Sequence, residues 1–264
     1  MTERQYIELA PPVSVEGIGV TDVLRTFITV IVGVVATIMV SVVIVGVAAV
    51  EPTSPVIDRA MRVWAQVILF AAGVSVEVRG AEALDPDQAY VIIANHRSAF
   101  DIMCLFVALP VPIRFLAKRE LFSIPLFGTM LRSARMVPVD RSAADHATIN
   151  KASGVALSRG NSLVVFAEGT RTTAEEAKAF KKGGFIIAQQ HSGPILPVAM
   201  VGTGNILAPH GKIVHKADVT IAIADPISPK SAASENVEEL VSTTRTIVLD
   251  NERRWTPEAR NLMY

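Results

Sequence analysis

A histidine and an aspartate five residues apart stand in Asn95-His96-Arg97-Ser98-Ala99-Phe100-Asp101, directly after the apolar run Val91-Ile92-Ile93-Ala94. These two residue types together can make a general base. The carboxylate fixes the imidazole tautomer and stabilises the imidazolium, while the other ring nitrogen takes a proton from a hydroxyl. On one continuous helix, residues five apart point about 140° away from each other and cannot touch. A helix that begins at Ser98 removes the conflict, leaving His96 on the incoming loop and Asp101 in the first turn. The same spacing has a plainer reading, because Ser98-x-x-Asp101 is close to a capping box in which the acidic group satisfies backbone donors. The two roles are compatible.

A second loop, Phe166-Ala167-Glu168-Gly169-Thr170-Arg171, follows the apolar run Leu163-Val164-Val165. Gly169 lets backbone approach a ligand, Thr170 offers a hydroxyl and an amide, and Arg171 brings a planar fork that matches phosphate or carboxylate. The loop reads either as an anion site or as a tight turn whose arginine pairs with Glu168 or solvent. Between the two loops, Arg114, Lys118, Arg119, Arg132, Arg135 and Arg141 face only Glu120 and Asp140. Such a patch attracts phosphate esters or anionic headgroups unless it is simply a solvated face. Lys178, Lys181 and Lys182 extend the basic character past Arg171.

The elements that position these loops alternate between β-branched runs and helical stretches. Strands are expected at Tyr90 to Ala94, Ile113 to Ala117, Met136 to Val139, Ser162 to Ala167, Ile195 to Val201 and Val219 to Ala224. Helices are expected at Phe100 to Ala108, Ile124 to Ser133, Ala143 to Ser158, Gly184 to His191 and Asn236 to Trp255. The alternation predicts an α/β fold with a largely parallel sheet flanked by helices, whose chemistry sits at the carboxyl ends of the strands.

Composition adds a membrane element. Of 264 residues, 50% are hydrophobic and only 19% charged, and the apolar excess is concentrated in Phe27 to Val50, which carries no charge. A helix of that length reaches roughly 36 Å, enough for a hydrocarbon core of about 30 Å. Val63 to Val76 is also uncharged but shorter. It fits either an interfacial or re-entrant segment or a buried first helix of the globular part. The expected division is an anchoring element over residues 1–78 and a catalytic domain over 79–264. Arg4 and Arg25 on one side of the long run balance Arg59 and Arg62 on the other, so orientation and the choice between spanning and re-entry stay open. Lys plus Arg equals Asp plus Glu at 25 each, which gives no reason to expect a nucleic-acid partner.

Other chemistries find little support. The single cysteine, Cys104, lies in an apolar helical run with nothing basic adjacent, so it reads as core and not as a nucleophile. There is no Gly-x-Ser-x-Gly elbow for an acyl-serine route. His146, His191, His210 and His215 have no two-ligand spacing with a nearby carboxylate, so no metal is expected. Gly202-Thr203-Gly204-Asn205 reads as a turn.

Four ordered blocks resemble the glycerolipid acyltransferase family, and within it the bacterial 1-acyl-sn-glycerol-3-phosphate acyltransferases. They are Asn95-His96-x4-Asp101, Lys118-x-Glu120-Leu121-x3-Pro125-x-Phe127-Gly128, Phe166-x-Glu168-Gly169-Thr170-Arg171 and Ile195-Leu196-Pro197-Val198. The resemblance spans about Val63 to Pro226. It implies that His96 deprotonates the sn-2 hydroxyl of lysophosphatidate and that Asp101 orients it. It further implies that Glu168, Gly169, Thr170 and Arg171, helped by Lys118 and its basic neighbours including Arg114, bind the glycerol phosphate, and that Pro197 shapes a strand end beside them. The implied co-substrate is acyl-CoA or acyl carrier protein, with no cofactor, and the product is phosphatidic acid. The implied place is the cytoplasmic face of the cytoplasmic or inner membrane, in contact with the bilayer. One departure is visible: the third block commonly reads Phe-Pro-Glu-Gly, and here Ala167 replaces the proline. A different lysolipid acceptor, such as a lyso-ornithine lipid, and a non-catalytic lipid-binding protein are the competing readings.

Overall fold

Val91 to Ala94 has all four residues buried, with Val91 and Ile93 packing on one side of a sheet and Ile92 and Ala94 on the other. A strand buried on both faces needs helical layers on both sides. The computed structural model, which describes residues 19–139, 146–229 and 236–256, supplies them. The strands are β1 (Val74–Arg79), β2 (Val91–Ala94), β3 (Ile113–Lys118), β4 (Val137–Val139), β5 (Ser162–Phe166), β6 (Ile195–Val201) and β7 (Ala217–Ile223). They form one sheet in the order β1-β7-β6-β2-β5-β3-β4. Every pairing is parallel except β6 with β7, so the sheet is mixed at one end.

The described helices are α1 (Val20–Val50), α2 (Pro55–Ala72), α3 (Asp101–Ala108), α4 (Phe127–Ser133), α5 (His146–Ser158), α6 (Gly183–Gln190) and α7 (Val237–Arg254). Residues of α1 to α4 share one apolar core with one face of the sheet, and those of α5 to α7 share a second core with the other face. The expected helix start at Ala143 lies outside the described residues.

Three expectations change. The stretch from Val63 to Val76 is not one segment: α2 carries it to Ala72, Gly73 closes the helix at φ 69°, and β1 starts at Val74. Glycine is favoured there because the left-handed cap penalises a Cβ. The helix buries Ile57, Met61, Ala65, Ile68, Leu69 and Ala72, which matches the reading as a packed first helix. β1 also straddles the boundary placed between residues 78 and 79, and α1 and α2 share their core with the sheet. Finally, α3 begins at Asp101, one residue after the expected Phe100 and three after a start at Ser98, because Ser98 to Phe100 make a turn before the helix.

Both ends of the α1 hairpin touch the α/β body. Near the start of α1, the Thr26 hydroxyl accepts the Val214 N–H at 2.8 Å and Asp22 lies 3.6 Å from His215. Beyond its end, Arg135 donates to the carbonyl of Pro52. The helix is therefore tied to the body near its start and through the turn after its end. Its outer side exposes Phe27, Ile31, Val34, Val35 and Ile38, and α2 adds Val63 and Phe70. By length and composition α1 is long and apolar enough to cross a membrane.

Candidate active site

The carboxyl ends of β2 and β5 lie side by side, Ala94 opposite Phe166, and each runs straight into one of the two loops singled out above. Asn95 fixes the first loop. Its amide donates to the Met200 carbonyl at 3.0 Å and accepts the Met200 N–H at 2.7 Å, which ties the end of β2 to β6. His96 stays partly exposed, and Asp101, fully buried, meets it from the first residue of α3. Nδ1 of His96 lies 2.7 Å from Oδ2 of Asp101.

The same Oδ2 accepts the backbone N–H groups of Arg97 at 2.8 Å and Ser98 at 3.0 Å, and the Ser98 hydroxyl accepts the Phe100 N–H. The capping role and the imidazole-orienting role therefore coincide in one oxygen. A carboxylate there requires Nδ1 to carry the hydrogen, which leaves the Nε2 lone pair as the basic site. The imidazole stacks on Phe166 with ring centres 4.0 Å apart and planes 10° apart, so its plane is fixed as well. Its side chain keeps 15% exposure, enough to meet a substrate.

The Phe166 to Thr172 turn is stitched to the His96 loop. The Thr172 N–H donates to the His96 carbonyl at 3.0 Å. Gly169 has φ 74°, and Lys181 crosses directly above it: a Cβ at 169 would lie 2.7 Å from the lysine Nζ. Thr170 and Arg171 are exposed beside it, and Arg171 has no ion pair among the described residues. A free fork and an ammonium over an open glycine turn can hold an oxyanion ester. Lys118, at the carboxyl end of β3, is exposed and pairs with Glu120 at 3.0 Å.

Two expected binding residues lie elsewhere. Arg114 is near the start of β3, buried, with Nη1 2.5 Å from Oδ1 of Asp58 on α2. It braces the hairpin and does not face the site. Glu168 is turned inward: its carboxylate takes Arg97 at 2.6 Å, the Thr172 hydroxyl and the Lys178 N–H at 3.2 Å. It shapes the turn from below. The basic patch disperses likewise, with Arg132 on the Phe122 carbonyl and Arg135 on Pro52; Asp140 and Arg141 lie outside the described residues. Cys104 is fully buried, and burial pushes its thiol well above the ordinary range, which suits a core residue.

Residues 75–201 match the protein-family model named Acyltransferase. This stretch is an acyltransferase-family domain. The chain resembles the 1-acyl-sn-glycerol-3-phosphate acyltransferase of Saccharomyces cerevisiae, 31% identical over 193 residues that make up 72% of this chain and 63% of the relative. It also resembles the human 1-acyl-sn-glycerol-3-phosphate acyltransferase alpha, 27% identical over 73% of this chain and 69% of the relative. The chain thus spans somewhat under two thirds of the yeast protein. In fold it follows the crystal structure of the LPA acyltransferase PlsC from Thermotoga maritima, with a TM-score of 0.78 over 89% of this chain and 95% of that one, at 23% identity.

Several residues around this site escape sequence reasoning. Arg97, given no role by the sequence, is buried with two carboxylates, and Phe166, at the end of a strand, is the imidazole's stacking partner. Lys181 belongs to a lysine cluster whose members the sequence does not distinguish. Glu252, 155 residues from its partner Arg97, carries no local signal at all.

Proposed function

We propose that this chain transfers a fatty acyl group from acyl-CoA or acyl carrier protein to the sn-2 hydroxyl of 1-acyl-glycerol-3-phosphate, giving phosphatidic acid for phospholipid synthesis. The observation that carries the reading is the His96–Asp101 contact at 2.7 Å on a partly exposed imidazole, in a loop whose His96 carbonyl accepts the Thr172 N–H at the end of the Gly169–Arg171 turn. The names of the curated relatives support the acceptor.

A thioester is already activated, so the protein need only align a hydroxyl, remove its proton and tolerate the oxyanion that develops. Nε2 of His96 takes the hydroxyl proton as that oxygen attacks the thioester carbonyl carbon. Asp101 stabilises the imidazolium without taking its proton. When the tetrahedral intermediate collapses, the C–S bond breaks and the departing thiolate takes the proton back from Nε2. Arg171, Thr170 and Lys181 hold the acceptor phosphate, with Lys118 at the edge, and no covalent acyl-enzyme and no cofactor enter.

The exposed apolar side of α1 and α2, joined by Leu121, Ile124 and Leu126 after β3, supports seating in one leaflet. That arrangement would present the acceptor's glycerol end to the carboxyl edge of the sheet. The proposed place is the cytoplasmic face of the cytoplasmic or inner membrane, where thioester donors are available. The test is mass spectrometry of lipid products after incubating the purified protein with each donor class and with lysophosphatidate or a phosphate-free lysolipid. Acceptor-dependent phosphatidate is the expected result; free fatty acid alone, or acylation of the phosphate-free acceptor alone, contradicts it.

A further inference from the structure

Arg97 follows the candidate base in sequence and is only 3% exposed. A buried guanidinium is costly unless its N–H groups are taken up by partners. Here Nε lies 2.6 Å from Oε1 of Glu252 and Nη2 lies 2.8 Å from Oε2, a fork-to-fork pair, while Nη1 donates to Glu168 at 2.6 Å and to Thr172 at 2.7 Å. Burial works against the charge on Arg97, but Glu252 and Glu168 outweigh it, and the net push is upward, which keeps the guanidinium charged.

The consequence is a closed mechanical loop around the chemistry. The backbone of Arg97 feeds Asp101, its side chain grips the turn that presents Gly169 to Arg171, and Thr172 returns to the His96 carbonyl. The fourth corner comes from α7, beyond the stretch that matches the family model. With Glu252 absent, Arg97 retains Glu168 and Thr172 but loses the fork that fixes the plane of its guanidinium. The imidazole and the anion-binding turn then lose their common brace.

The geometry points to Glu252 as a positioning residue: through Arg97 it sets the spacing between the His96 base and the Gly169–Arg171 turn. The assignment rests on the acyl-transfer reading. Since Glu252 touches neither substrate, its removal should reach catalysis only through Arg97.

The test compares the full-length protein with Glu252→Gln, Arg97→Gln and the double variant, measuring the thermal transition and, well below it, kcat and both KM values. For Glu252→Gln the expected result is a folded protein whose kcat falls by about 10- to 100-fold, the scale of a misplacement near 1 Å. The KM for lysophosphatidate rises, the KM for the thioester stays put, and Glu252→Asp restores part of the loss. In the Arg97→Gln background the Glu252 substitution should cost nothing further, because residues that act through one contact are not additive. A folded Glu252→Gln with native kcat and KM, or losses that add in the double variant, overturns the assignment. If Glu252→Gln fails to fold, Glu252→Asp serves: native constants in that variant overturn the assignment, and reduced kcat with raised acceptor KM supports it. A native protein that makes no phosphatidate is a failure of the acyl-transfer reading; phosphatidate formation indifferent to Glu252 is a failure of this inference alone.

Discussion

Oδ2 of Asp101 serves Nδ1 of His96 and two backbone N–H groups of the same loop at once. The orientation of the imidazole and the shape of the loop that carries it are therefore one structural fact. An Asp101→Asn substitution keeps an oxygen for the backbone donors but offers the ring no charge and can accept or donate in the wrong sense. The fold should survive while kcat falls by about 10²- to 10⁴-fold. Circular dichroism and steady-state kinetics on the same preparation check this; a variant with native kcat removes Asp101 from the mechanism.

Arg171 is exposed and unpaired among the described residues, so its removal should cost little stability. Losing a charge-assisted contact of about 1.5 to 3 kcal/mol predicts a KM for lysophosphatidate raised by about 10- to 100-fold in Arg171→Ala. Gly169→Ala should act on the same constant by a different route. Its φ of 74° makes a side chain strained by about 1 to 2 kcal/mol, and the new methyl pushes Lys181 off the turn. An unchanged acceptor KM in both variants places the phosphate elsewhere.

The Cys104 thiol is buried and its ionisation is pushed up by that burial and by the nearby Asp101 carboxylate. The folded protein should resist a maleimide or iodoacetamide at pH 8 and keep its activity, as read by intact mass and by rate. Rapid labelling with loss of turnover would revive a thiol-based route.

Glu252 has its ionisation pushed upward chiefly by burial, partly offset by Arg97 and reinforced by Glu168. The native state then holds the proton more tightly than the unfolded chain, so stability is lost as pH rises from the ordinary carboxyl value of 4.5 through the raised native one. Glu252→Gln lacks this dependence. The difference in transition temperature, native minus variant, should shrink as pH climbs through that window; a constant or widening difference contradicts the burial argument.

The blocks at the ends of β2 and β5 were legible because chemistry and turn geometry demand unusual residues there, and six of the seven strands announced themselves as β-branched runs. β1 alternates Val74-Ser75-Val76-Glu77-Val78-Arg79, a half-exposed edge pattern, but its first residues merge with the apolar end of α2 and only Gly73 divides them. Arg114 could not be assigned by type: a guanidinium in a basic stretch looks the same whether it meets solvent, phosphate or, as here, Asp58. Glu168 was placed in the right loop with its side chain on the wrong side, since nothing in Glu-Gly-Thr-Arg says which member turns inward. Glu252 was invisible because a contact spanning 155 residues depends on where α7 docks, which only the packed core decides.

The most direct measurement is the single-turnover rate of acyl transfer from acyl-CoA to lysophosphatidate by the native protein and by His96→Ala, with both shown to be folded. Loss of the base predicts a drop of about 10²- to 10⁴-fold in the chemical step. Equal rates for the two proteins would contradict the assignment of His96 as the group that takes the hydroxyl proton.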